Sequence, residues 1–223
     1  MTKVSERLNR LSESATLAMA RMSRELKAQG HDVIALSLGE PDFDTPDFVK
    51  EAAKKAVDNN FSHYTPVPGL AELREAIAEK LKRDNSLEYT PEQIVTSTGA
   101  KQSIANVCMS LLNPGDEVLL PAPYWVSYFE IIKLAEGTPV EIPSSIEADF
   151  KVSPEQLEAA ITPNTKLLLF STPCNPSGTV YSKAELEAIA KMLEKYPDIY
   201  VICDEIYELI NFGEPHFSMA TIT

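Results

Sequence analysis

The chain has 223 residues, 44% hydrophobic and 24% charged, which suits one large α/β domain or one and a half smaller ones. A formal net charge of -13, from 33 acidic and 20 basic residues, argues against nucleic acid or an anionic membrane as main partner and leaves room for a local basic pocket. No apolar run approaches the roughly 20 residues of a membrane span, and Cys108, Cys174 and Cys203 form no CxxC pair, so neither a disulfide framework nor a metal site is expected.

Residues 5 to 29 place Leu8, Leu11, Ala15, Ala18, Met19 and Met22 near helical spacing and predict an amphipathic helix. This stretch is charged throughout and lacks a signal-peptide apolar core, so the expected address is cytoplasmic. "DVIALSLGEPDFDTP" predicts a short strand, Val33 to Leu38, broken by Gly39 and two prolines. Thr45 is the expected cap of the next helix, with Pro46 at its first position, and that helix should end near Asn59. "HYTPVPG" is a loop and "LAELREAIAEKLKRD" a second amphipathic helix.

An alternation of strands and helices follows. "QIVTST" reads as a strand, and "GAKQSIANVCMSLL" as a helix opened by Gly99. "EVLLPAPYW" is a strand running into an aromatic loop, "VSYFEIIKLA" a helix and "TPVEIP" a strand. Ser153, Pro154 and Gln156 make the cap, first position and capping box of a helix, and Ser182 with Glu185 make a second box. "KLLLFSTPCNPSG" between them is strand and loop. The last strand is in "YVICDEIY", where Ile199 to Cys203 has the pattern of a strand buried on both faces. The expected fold class is α/β, three-layered, with a mostly parallel central sheet covered by helices.

In open parallel sheets, ligands bind beyond the carboxyl ends of the strands. After "QIVTST" come Gly99, Ala100 and Lys101 at a helix N-terminus, where free N–H groups suit a phosphate. After "EVLL" come Tyr124 and Trp125, the lone tryptophan. After "LLLF" comes Asn175 between Pro173 and Pro176, and after "YVIC" come Asp204 and Tyr207, spaced to share a face of a helical turn. Taken singly, each is better read blandly: a plain turn, a packing tryptophan, a turn asparagine, a helix-capping aspartate. Together they offer one sheet edge a phosphate cradle, a flat aromatic face, an amide, a carboxylate and a phenol. Pyridoxal phosphate needs that set.

The segments "SLGEPDFDTP", "HYTPVPGLAELREAIA", "TSTGAKQ", "NPGDEVLLPAPYWVSY", "TPCNPSGTVYS" and "VICDEIYE" span nearly the whole chain in order. In them the chain resembles a fold-type I, class I aminotransferase of the aspartate aminotransferase branch. The resemblance implies an incomplete large domain: residues 1–45 as N-terminal helix and strand of the small-domain or linker region, and residues 46–223 as part of the pyridoxal-phosphate-binding domain. It implies that Gly99, Ala100 and Lys101 hold the phosphate and Trp125 stacks on the ring. Asn175 and Tyr207 would bond the ring oxygen, and Asp204 the ring nitrogen. Gly39 would bind the substrate α-carboxylate, with Trp125 and Asn175 also facing substrate. Lys101 would read a distal carboxylate, favouring aspartate or glutamate with a 2-oxo acid. Tyr64 would reach the phosphate of the partner subunit in a homodimer.

One departure is plain. The family's covalent cofactor lysine and its later arginines lie beyond the "DEIY" strand, and here no lysine follows Lys195. The chain is therefore expected to be C-terminally truncated and inactive alone. The other readings are a lyase of the same fold catalysing β-elimination or C–S cleavage, and a non-catalytic fragment.

Overall fold

The computed structural model describes residues 4–36, 38–213 and 215–222. They fall into two compact units, residues 13–70 and residues 1–12 with 71–223.

In the first unit, α2 (Ala15–Ala28) is capped by Ser14, whose Oγ accepts from Leu17 N at 3.5 Å, and α3 (Asp47–Asp58) follows Pro46. Three expectations are corrected here. The single helix over 5–29 is two helices, α1 (Glu6–Asn9) in the second unit and α2. The chain breaks between them because the Ser12 N–H donates to Glu130 at 3.1 Å instead of to the preceding turn, and Ser14 starts a new helix. Val33–Leu36 and Leu38 form no strand, and Ser37 lies outside the described residues. Apolar alternation gives a strand its side chains, but a strand also needs a neighbouring edge. The cap of α3 is Pro46 rather than Thr45: with ψ at 142° Pro46 is still extended, so the helix opens one residue later.

The second unit holds α4 (Ala71–Asn85), then α5 (Ala100–Leu111), β1 (Glu117–Pro121), α6 (Ser127–Leu134), β2 (Thr138–Ile142), α7 (Pro154–Ala160), β3 (Thr165–Ser171), α8 (Lys183–Leu193) and β4 (Tyr200–Asp204). Both expected capping boxes form: Ser153 accepts from Gln156 N, and Ser182 from Glu185 N, each at 3.3 Å. The expected strand at "QIVTST" is absent. Pro91–Gln93 is a 3-10 turn held by Thr90 N donating to Gln93 Oε1 at 2.9 Å, and Ile94–Thr98 runs outside the sheet.

The sheet has four strands in the order β2-β1-β3-β4, every pairing parallel. Successive residues of the central strands point to opposite faces. Leu119, Leu168 and Phe170 pack with Leu157 of α7 and Leu186, Ile189 and Met192 of α8. Val118, Leu120, Leu167 and Leu169 pack with Ile104 and Cys108 of α5 and Tyr128 and Ile132 of α6. This is the three-layer arrangement the sequence predicts. Each fully buried leucine contributes about 1.5–3 kcal/mol relative to exposure. The expectation that the last strand is buried on both faces fails, because β4 pairs with β3 alone among the described strands, leaving Tyr200 exposed and the rest of β4 half-buried. Strand crossovers bring the carboxyl ends of β1, β3 and β4 to one edge, with Ser171 beside Asp204.

Candidate functional site

The site grows out of that edge. Asp204 ends β4, and its carbonyl accepts from Thr172 N at 3.1 Å, which draws the loop after β3 alongside. That loop contains Asn175, and Cys174 Sγ donates to Pro123 O at 3.5 Å, tying it to the loop after β1. The X–Pro bonds at Pro123, Pro173 and Pro176 are cis.

Asp204 is held on both carboxylate oxygens. Oδ1 accepts from Ile206 N at 3.2 Å, and Oδ2 accepts from Tyr128 OH at 2.7 Å. A carboxylate has about four acceptor positions, so capacity remains for an N–H from a ligand. Tyr128 is buried in α6, and burial first, then the charge of Asp204, raises its phenol above the usual tyrosine range. It therefore stays a hydrogen-bond donor at neutral pH.

Trp125 meets Tyr128 edge to face, ring centroids 5.5 Å apart at 88°. Lys101 Nζ stands 4.7 Å above the Trp125 ring. Tyr124 OH donates to Glu141 at 2.7 Å. Asn175 Nδ2 donates to Tyr207 OH at 3.5 Å. Asp204 and Tyr207 do not share a helical turn as expected; residues 205–210 are a tight turn, with Glu208 N donating to Glu205 O and Ile210 N to Tyr207 O.

Gly99 caps α5 at φ 83° and ψ 160°, a region open essentially to glycine only. An added Cβ there would meet nothing within 4 Å, so backbone conformation and not crowding is what calls for glycine. Ala100 and Lys101 form the first turn. An anion is well received at such a terminus.

These observations fit pyridoxal phosphate by donor set: a helix N-terminus with no side-chain cap for a phosphate, an aromatic face, an amide–phenol pair and a fixed carboxylate. Contacts run from Lys101 to Trp125, from Trp125 to Tyr128 and from Tyr128 to Asp204, and separately from Asn175 to Tyr207. Gly39 and Tyr64 lie in the 13–70 unit, where both are exposed. Sequence reasoning missed Tyr128. Its signal was an aromatic three residues past Trp125, one helical turn on. Burial raises the Cys108 thiol to about 11 and pushes that of Cys203 well up, so neither of these two offers a thiolate at neutral pH.

The sequence profile of the family described as "Aminotransferase class I and II" matches residues 31–222. The aspartate/prephenate aminotransferase of Cereibacter sphaeroides is 49% identical over 218 residues, 98% of this chain and 54% of that protein. The probable aspartate/prephenate aminotransferase of Rickettsia bellii is 51% identical over 223 residues, 100% of this chain and 56% of its own. The structure of aspartate aminotransferase from Thermus thermophilus with maleate superposes with a TM-score of 0.95 at 44% identity, covering 100% of this chain and 58% of that one. The chain thus spans about half the length of the curated relatives it matches.

Proposed function

The chain belongs to the class I and II aminotransferase family, and on that footing we propose that the whole protein moves an amino group between an amino acid and a 2-oxo acid with pyridoxal 5'-phosphate. The observation that carries this is the fixed Asp204 carboxylate at the same strand ends as Trp125 and the Asn175–Tyr207 pair. When bound, the cofactor supplies an electron-withdrawing ring that stabilises negative charge at the substrate α-carbon. Asp204, kept an acceptor by Tyr128 and Ile206, favours the protonated ring nitrogen. Asn175 and Tyr207 hold the ring oxygen, Trp125 covers one ring face, and Gly99, Ala100 and Lys101 receive the phosphate.

The favoured substrates are aspartate and glutamate. The relatives above are named for aspartate, and the Thermus thermophilus enzyme was solved with maleate, another four-carbon dicarboxylate. Lys101 supports this choice, because a cation–π contact of about 0.5–1 kcal/mol leaves its ammonium free to pair with a carboxylate. Roles for Gly39 at the α-carboxylate and Tyr64 at the cofactor phosphate of a homodimeric partner rest on the motifs around them alone. The proposed address is cytoplasmic; no helix among the described residues is long and apolar enough to cross a membrane.

The 223-residue chain by itself is proposed to be inactive. Among its lysines, Lys80 pairs with Glu208, Lys133 with Glu130, Lys151 with Glu185, Lys183 with Glu187 and Lys195 with Glu158, which draws these five toward carboxylates and away from a covalent role.

The test is turnover of the whole protein on aspartate and a 2-oxo acid. Asp204→Ala is expected to lower it by about 100-fold or more, and Tyr207→Phe by roughly tenfold. Equal losses would overturn the role given to Asp204. Wild type without transamination would overturn the function.

A further inference from the structure

Asp204 and Tyr207 alternate along the turn with two other acids, Glu205 and Glu208, and both are tied down away from that pair. Glu205 Oε1 accepts from Ser218 Oγ at 2.8 Å and Met219 N at 3.1 Å, while its Oε2 lies 3.2 Å from His216 Nε2. Glu208 Oε1 accepts from Lys80 Nζ, and its Oε2 accepts from Asn85 Nδ2 at 2.8 Å. Lys80 also donates to Asn85 Oδ1 at 2.8 Å, which closes a three-membered network on α4.

The apolar residues of the same stretch give the turn little hold. Ile206, Leu209, Ile210 and Phe212 are 62%, 83%, 53% and 98% exposed. A segment with few buried apolar contacts opens readily unless polar ties order it. Here the ties are charge-assisted and reach distant chain: Glu208 binds α4 residues 123 and 128 positions away, and Glu205 binds residues 11 to 14 positions on. A bare surface turn has no need of two partly buried carboxylates with five donors between them.

We propose that Glu205 and Glu208 are positioning residues for the cofactor site. Each carboxylate anchors the turn to a different element, and together they set where Asp204 and Tyr207 stand. The inference rests on the reading of those two residues as cofactor ligands. Neither Glu205 nor Glu208 touches the cofactor; they act through the backbone between them. A misplacement on the order of 1 Å at a binding group costs up to roughly 100-fold, so loss of either anchor is felt as weaker cofactor binding and a changed environment for the ring nitrogen.

The experiment uses the whole protein and pyridoxal phosphate itself. The dissociation constant and the absorption spectrum of the bound cofactor are measured for wild type, Glu205→Gln, Glu208→Gln, Asp204→Asn and, as control, Glu187→Gln, whose exposed pair with Lys183 lies on α8. Glu205→Gln and Glu208→Gln are each expected to weaken binding by roughly 10- to 100-fold and to shift the spectrum in the direction Asp204→Asn shifts it. Glu187→Gln should change neither. If either glutamate variant fails to fold, Ser218→Ala and Lys80→Gln remove one donor from outside the turn and should give smaller shifts in the same direction. Cofactor bound normally by both variants, with Asp204→Asn still weakened, would overturn the anchoring role alone. A wild type that does not bind, or an Asp204→Asn protein that binds like it, would overturn the reading beneath it.

Discussion

Asp204 is committed as an acceptor before any ligand arrives, because a buried phenol donates to one oxygen and a backbone amide to the other. The Tyr128 phenol is raised above its ordinary range by burial and by Asp204, and an unfolded tyrosine titrates near 10. Its contribution to stability is therefore full below about pH 10 and is lost as pH rises further, where the unfolded chain releases a proton that the folded one keeps. Tyr128→Phe in the whole protein is expected to lose about 1–2 kcal/mol at neutral pH, from the acceptor left without its donor. Above about pH 10 the gap to wild type narrows. Urea midpoints at pH 7.5 and 10.5 check this, and a gap that widens with pH would refute it.

Helix starts carry much of the local order. In α8, Ser182 and Glu185 satisfy each other: Ser182 N donates to Glu185 Oε2 at 2.7 Å, and Glu185 N to Ser182 Oγ at 3.3 Å. Ser182→Ala is expected to cost about 1 kcal/mol. Glu185 does more than cap. Burial alone raises its carboxyl, but donors from Ser182 and from Lys151 outweigh that and hold it below the usual range. A depressed carboxylate stabilises above its unfolded value near 4.3 and loses that stabilisation as pH falls through its folded value. Glu185→Gln should therefore lower the melting midpoint at pH 7 and converge with wild type below about pH 4. A difference unchanged by acid would assign the loss to packing. The Lys183–Glu187 pair on the same helix is exposed on both sides and contributes at most a few tenths of a kcal/mol.

On the scale of the whole molecule, the site depends on elements far apart in sequence, and β4, at the sheet edge, carries its central carboxylate. An edge strand offers unpaired backbone groups to other chains. The 223-residue chain handled alone is expected to associate, to bind pyridoxal phosphate weakly and to yield no amino transfer. Borohydride reduction followed by mass spectrometry should find scattered low-level adducts across its lysines. One stoichiometric adduct together with measurable transamination would show that a lysine of this chain serves the cofactor after all.

Whatever is local can be read from neighbouring residues. Both capping boxes, the glycine opening of α5 and the alternation from β1 to β4 follow from spacing over a few residues, and folding leaves them where they were read. The motifs after β1, β3 and β4 fall at one edge because a parallel sheet sends each carboxyl end the same way, whereas Gly99–Lys101 follows a segment that is no strand. Long-range packing sets the rest. The segments Val33–Leu36 and "QIVTST" have strand composition but lie outside the sheet, because a ladder requires a neighbour that no local pattern specifies. The Tyr128–Asp204 bond spans 76 positions and the Lys80–Glu208 bond 128. Which phenol meets which carboxylate across such distances is fixed by the packing of α6 and α4 in the folded unit, since a hydrogen bond depends on position in space and the chain between its ends leaves that position open.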